Sequence, residues 1–361
     1  MDRNTVILRD TDVFMRGELD NVTISDGRIV LDLVQGSYVP YGCYTSAPLP
    51  MPAFDALRVS WNADAPDQTA VEVQARVMVD GNWTTWVSFC KWSRFLRRES
   101  PAPLDKGCLQ RRPDVLLLDS KTGQQAQIRI YLYTKSDRLT PNVSLLCASV
   151  RTQDGIPAGG RPVNTRLHLL PYAAARRAPA LRPWMDIACS LTALTNRWGA
   201  DLLPEELAQI VRDWRTDDTD THNLCFAAAA AAAWGFPTWV CYGNLALLRD
   251  EARHGFGAVV ALQATPAEIA AGMPERRFAA VRGFTAVNST PQVLLCDPCA
   301  AENDFDTETA MPLDSFMVAW DNVALLMRPQ PNGAHRAPRT RTGAWVRPAG
   351  TDFPDVYRLY V

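Results

Sequence analysis

Trp184-Met-Asp-Ile-Ala-Cys-Ser-Leu-Thr-Ala-Leu-Thr-Asn-Arg-Trp-Gly199 is the stretch whose reading decides the fold. The spacing predicts a helix from Asp186 to Trp198, with Asp186 as N-cap and Gly199 at C′. Further helices are expected downstream. Pro204 to Trp214 carries its proline early and Glu205-Glu206 in the first turn, where carboxylates complement the helix dipole. Phe226 to Trp234 contains seven consecutive alanines and closes at Gly235. Small side chains of that kind let a helix pack closely against a neighbour. Leu245 to His254 is a fourth helix. The period then shortens to that of strands: Ala258–Leu262, Phe278–Phe284, Gln292–Cys296 and Val323–Met327. Helices followed by an antiparallel sheet make an α+β arrangement.

Upstream, residues 1–151 read as strands and turns. Val22-Thr-Ile-Ser-Asp-Gly-Arg-Ile-Val-Leu-Asp-Leu is two alternating runs about Asp26-Gly27, a hairpin signal. Leu57–Ala63, Ala70–Val77, Trp83–Phe89, Ala126–Tyr133 and Val143–Val150 continue the pattern, which predicts an antiparallel β-sandwich. Residues 152–166, with Asp154-Gly155, Pro157, Gly159-Gly160 and Pro162, form the expected linker. A second domain then spans 167–328. Residues 329–361 make a basic, proline-rich arm that ends in an expected strand, Phe353–Val361.

Bulk properties fit two domains, since 361 residues exceed one ordinary core. A net charge of −2 gives no electrostatic reason to expect nucleic acid or an anionic membrane. No apolar run has the length of a membrane span. Met-Asp-Arg-Asn-Thr-Val at the start has no signal-peptide pattern, so a reducing cytoplasm is the expected compartment. Nine cysteines include Cys296 and Cys299 in a Cys-x-x-Cys, but no second pair stands at zinc spacing. No metal or cofactor is expected.

Residues 167–328 resemble the papain-like peptidase domain of bacterial C39 peptidases, the bacteriocin-leader-processing type. Asp186 to Gly199 has the length of that family's nucleophile helix, with Ser190 and Trp198-Gly199 in place. His222-Asn223-Leu224-Cys225-Phe226 resembles its Gly-Asn-Trp-x-Phe box, and Arg276–Thr285 its histidine-bearing strand. Asp297-Pro298-Cys299-Ala300 resembles its Asp-Pro-Ala box, and Phe316–Trp320 a Phe-x-x-Ala-Trp box. The N-terminal half is similar to the sandwich preceding some of these domains, through Tyr44-Thr45-Ser46, Ser60–Ala63, Trp83–Trp86 and Lys91-Trp92-Ser93. Relatives with this layout are often exported, so the resemblance also admits an extracellular or cell-surface location.

A cysteine peptidase needs a thiolate at a helix N-terminus, a histidine base, a residue to orient it, and an oxyanion donor. The resemblance puts Asp186 at the nucleophile, Arg277 at the base, Asp297 at the orienting acid and Ala175 at the oxyanion glutamine. Three of the four roles are lost, and the expectation is a pseudoenzyme. Its former cleft would bind a peptide or protein partner through Asp186, Arg277, Asp297 and Asn223. A carboxylate–guanidinium pair would replace thiolate–imidazolium, with Arg277 bridging Asp186 and Asp297. The enzyme alternative uses Cys189, one turn further on, as nucleophile of a cysteine peptidase or hydrolase. None of His168, His222, His254 and His335 stands where it supports that role. A scaffold role is the third reading. Trp61, Trp83, Trp86 and Trp92 either fill the sandwich or offer faces to carbohydrate.

Overall fold

The computed structural model describes residues 4–152, 160–215 and 222–329. In chain order its larger elements begin with strands β1 (Tyr41–Thr45), β2 (Leu49–Asp64), β3 (Thr69–Val79), β4 (Val87–Trp92), β5 (Gly123–Thr134) and β6 (Asn142–Thr152). Helices α1 (Met185–Arg197), α2 (Pro204–Val211) and α3 (Leu224–Ala233) follow, then β7 (Thr238–Tyr242), α4 (Leu245–Arg253) and β8 (Ala258–Gln263). The series ends with α5 (Pro266–Ala270), β9 (Arg276–Val287), β10 (Thr290–Cys296), β11 (Glu308–Pro312), α6 (Leu313–Ala319) and β12 (Trp320–Met327). All strand pairings described below are antiparallel, so the chain is an α+β protein dominated by antiparallel sheet.

The described residues fall into two compact units. One takes 4–152, 213–215, 222–233 and 238–242, and the other takes 160–212, 234–237 and 243–329. Residues 222–233 and 238–242 thus group with the N-terminal strands, although they lie inside the stretch 167–328. Part of the expected linker and all of the arm beyond residue 329, with His335, lie outside the described residues.

In the first unit, β5 lies between β3 and β1, β4 extends the sheet beyond β3, and β2 pairs with β6 along most of its length. Alternation drives this arrangement: Val71, Val73, Ala75 and Val77 of β3 and Ile128, Ile130 and Leu132 of β5 are fully buried. The hairpin Val22–Ser25/Arg28–Leu31 forms as expected. Asp26 and Gly27 both have positive φ, which gives its two-residue turn the twist of the flanking strands. The run Trp83–Phe89 is not one strand. It is interrupted at residues 84–86: Asn82-Trp83 pairs with Val79 and Met78 at the end of β3, and β4 pairs with β3 again from Val87.

The unit's helix explains why β2 is buried on both faces from Ala56 to Ala63. Leu57, Val59, Trp61 and Ala63 are apolar, whereas Arg58, Ser60 and Asn62 alternate with them. Those polar residues face α3 and β7. The Asn62 amide bonds both the carbonyl and the N–H of Thr238 (2.5 and 2.9 Å), and Ser60 Oγ accepts Val240 N–H (3.0 Å). Ser149 Oγ accepts Tyr242 N–H, and Asn4 donates to Tyr242 carbonyl. Side chains thereby satisfy backbone groups of β7. Ala227 to Ala231 are fully buried, so the alanine run is a packing surface.

The second unit is built on a sheet ordered β12-β8-β9-β10-β11. Helix α1 packs on β9, with Ser190 Oγ donating to Phe278 carbonyl (3.1 Å). Its close approach depends on Gly257, where a Cβ would lie 2.4 Å from Leu194. Gly283 has φ of 149° and faces the backbone of Thr165, a place only glycine can take. Asn244 caps α4 by accepting Leu247 N–H (2.8 Å), and buried Arg328 pairs with Glu251 of α4 through two contacts (2.5 and 2.6 Å). Among the described residues no helix is long and apolar enough to cross a membrane.

Candidate functional site

Four segments of the second unit meet at the start of α1. The helix runs from Met185 to Arg197, so Asp186 is not the N-cap, as the sequence reading had it, but a first-turn residue. The preceding Pro179–Trp184 is already a 3-10 turn, which moves the start back onto Trp184. At the other end Gly199, with φ of 84°, terminates the helix as expected.

Asp186 is 5% exposed. One carboxylate oxygen accepts Phe278 N–H (3.0 Å) and the other accepts Ile187 N–H (2.7 Å). The bond to Phe278 fixes the α1 terminus to β9 beside Arg277. A carboxylate in the first turn is also favoured by the helix dipole.

Arg277 pairs with Leu262 of β8 across the ladder, and β10 ends opposite Ala280. The chain leaving β10 therefore returns Asp297 alongside Arg277. Arg277 Nε donates to Asp297 (2.8 Å), and Nη2 to Glu268 of α5 (3.2 Å). Both partners of the first pair are nearly inaccessible, with side-chain exposures of 2% and 4%. Burial works against the charge on Arg277, but Asp297 and Glu268 outweigh it, so the guanidinium is held more firmly charged than usual. Burial pushes the Asp297 carboxyl above the ordinary range, with Arg277 opposing. Asp297 also accepts Cys299 N–H (3.0 Å).

Ala175 is exposed in the short turn Ala174–Arg176, where Ala174 N–H donates to Pro298 carbonyl (2.9 Å). Asp186, Arg277, Asp297 and Ala175 thus lie on adjoining segments. Asn223 does not join them. It belongs to the first unit and is the N-cap of α3, with Oδ1 accepting Cys225 N–H (3.0 Å) and Nδ2 donating to Ser100 (2.8 Å).

Cys189 is 1% exposed inside α1. Burial raises its thiol well above the usual value, and Asp186 adds to that while Arg177 opposes it. Half-buried Cys299 is shifted the same way by burial and by Asp186 and Asp297. His254 turns Nδ1 to Asp250 carbonyl (2.8 Å), and His168 is exposed ahead of the site. Two acidic contributors escaped the sequence reading. Asp304, paired with Arg177 (2.7 Å), accepts Ala173 N–H. Glu268 closes the far side of Arg277. The signal for Glu268 was present, because Thr265-Pro-Ala-Glu268 is a capping box that starts α5, and the structure contains it.

The tryptophans divide. Trp61 and Trp92 are fully buried, while Trp83 and Trp86 are half-buried and stack on Arg76 (4.8 and 4.5 Å).

Residues 8–150 match the family described as the Peptidase C39 N-terminal domain. No curated protein matches the chain significantly. Among solved structures, the chain is similar to the peptidase domain of Streptococcus ComA, a bifunctional ABC transporter of a quorum-sensing pathway. Identity is 15%, with 45% of this chain and 100% of that one covered, at a TM-score of 0.34. The ComA peptidase domain of Streptococcus mutans follows at 16% identity, 39% and 91% coverage and a TM-score of 0.26. Scores this low carry no argument about fold or activity. The family match thus extends over residues 8–150 and describes that part of the chain as similar to a Peptidase C39 N-terminal domain.

Proposed function

We propose that the chain is a non-catalytic member of this family: a β-sandwich followed by a papain-like unit that holds a peptide or protein partner where its relatives cut. The observation that carries this is the pinning of Arg277 between Asp297 and Glu268, beside an Asp186 carboxylate bonded to Phe278 N–H. Arginine keeps its proton at any physiological pH and cannot serve as a base. A carboxylate is a poor nucleophile for acyl transfer, and Asp186 already accepts two amides. Exposed Ala175 offers no side-chain donor to an oxyanion. Cys189 is buried with a raised thiol pKa, the opposite of what a reactive thiolate needs.

A scaffold role is the second reading, favoured by the exposures of 5%, 2% and 3% at Asp186, Arg277 and Asp297. On the binding reading the buried network shapes the floor beneath a ligand held by neighbouring exposed groups.

Two measurements test the proposal. Labelling of the native protein at neutral pH with a peptide-like cysteine-peptidase probe should leave Cys189 unmodified, as read by mass spectrometry. Rapid labelling of Cys189 that is lost on unfolding would establish a working thiolate and overturn the inactive reading. Selection from a random peptide library should enrich sequences whose binding is lost in Asp186→Ala. Absence of enrichment would decide for the scaffold.

A further inference from the structure

One face of the first unit's sheet carries a stack of cations and rings that its core does not need. On β3, Arg76, Gln74 and Glu72 alternate with the buried Val77, Ala75 and Val73. On β5 the same side carries Gln127, Arg129, Tyr131 and Tyr133. Register sets Arg76 opposite Gln127, Arg129 opposite Gln74 and Tyr131 opposite Glu72. Trp86, from the segment just before β4, completes the set.

The geometry is repetitive. Arg76 lies 4.8 Å from the Trp83 centroid and 4.5 Å from that of Trp86, and Arg129 lies 4.3 Å from Trp86 and 5.2 Å from Tyr131. Tyr131 stacks on Tyr133 at 6.1 Å and 19°, and Lys91 stands 5.2 Å over Tyr133. Each guanidinium gives Nε and Nη2 to one neutral amide oxygen: Arg76 to Gln127 and Arg129 to Gln74, at 2.8 and 2.6 Å in both cases. The glutamines are themselves fixed, Gln127 by Ser46 carbonyl (2.7 Å) and Gln74 by Glu72 (2.9 Å).

Two arginines are thus locked in orientation by neutral acceptors, with the Nη1 edge of each left over. Of the carboxylates on this face, Glu72 takes bonds from Gln74, Ser88 and Tyr133 and lies 3.9 Å from Lys91, and Glu18 and Asp20 stand across β1 from Arg129 and Tyr131. The two guanidiniums, by contrast, are clamped by neutral amide oxygens. Ring stacking and amide clamping remove the rotamer entropy that an arginine ordinarily loses when it binds. That is the preorganisation a carboxylate ligand requires.

We infer that this face binds an acidic oligosaccharide, with uronate carboxylates on the Nη1 edges of Arg76 and Arg129. β3 and β5 each have both edges paired, by β4 and β5 and by β1 and β3, so a peptide cannot add here as a strand. The surface is lined by rings and carries the Tyr131 and Tyr133 hydroxyls. A sugar ring with hydroxyls and a carboxylate matches it. Neutral sugars gain less, since the ring faces of Trp86 are already covered by guanidinium. This site is independent of the reading given for the second unit.

The test is calorimetry of the full chain with oligogalacturonate, with a neutral galacto-oligosaccharide of equal length and a glutamate-rich peptide alongside. Oligogalacturonate should bind, weaken with added salt, and lose at least about tenfold in Arg129→Gln and in Arg76→Gln. Arg129→Lys keeps the charge but not the fork, and should also bind more weakly. Thermal unfolding of each variant verifies that it is folded, and Lys121→Gln, away from this stack, should bind like the parent. No binding of oligogalacturonate, equal binding by folded Arg129→Gln, or tighter binding of the glutamate peptide would overturn the inference.

Discussion

Arg277 shows what a buried arginine costs and keeps. Its guanidinium is buried beside Asp297, and removing one member of such a pair leaves the other charged and unsolvated. Arg277→Ala should therefore destabilise the protein by about 3–5 kcal/mol, read as a lowered urea midpoint. A loss below about 1 kcal/mol would mean that the pair contributes little. Glu268 gives a pH signature. Its pKa is lowered, first by the Thr265 amide and also by Arg277, despite burial. A depressed carboxylate pKa adds stability above the unfolded value and loses it as pH falls through the folded value. The thermal midpoint should then drop on acidification below about pH 4.5, and Glu268→Gln should drop less steeply over that range. Partial exposure of Glu268 keeps the difference small. At this scale the sequence revealed which residue types occupy the site. It did not reveal that the second carboxylate on Arg277 is Glu268, because that contact depends on where α5 lands against β9.

The helices and strands were largely legible, since their caps and periods are local. Gly199 and Gly235 both adopt the positive φ that ends their helices, and β8 to β10 and β12 cover the expected runs. The element-level surprise is β2, whose polar alternates Arg58, Ser60 and Asn62 are buried. They are buried because α3 and β7, remote in sequence, lie upon them. Two variants test this scale. Ala229→Leu inserts volume into a fully buried position and should cost about 1–3 kcal/mol with the fold retained, measured by chemical unfolding. Asn244→Ala removes the cap on α4 and should cost about 1 kcal/mol, while Asn244→Asp should restore most of it.

For the whole molecule, no disulfide joins the nine cysteines, of which six are buried and three half-buried. An aromatic disulfide reagent should therefore titrate no more than three thiols in the native protein, at Cys43, Cys108 and Cys299, and nine after unfolding. Early reaction at Cys189 would contradict the burial of α1 described above. The sequence by itself determined the strand-rich N-terminal half and the helix of Asp186. These are matters of residue type and short-range period, which the chain carries locally. The tertiary structure alone decided that Asp186 holds Phe278, that Arg277 answers to Glu268 as well as Asp297, and that Asn223 caps a helix of the first unit. It also decided that Trp83 and Trp86 stack on arginines while Trp61 and Trp92 fill the core. Each of these depends on which distant segment supplies the partner, and no local spacing encodes the choice between one carboxylate and another or between a ring in the core and a ring at the surface.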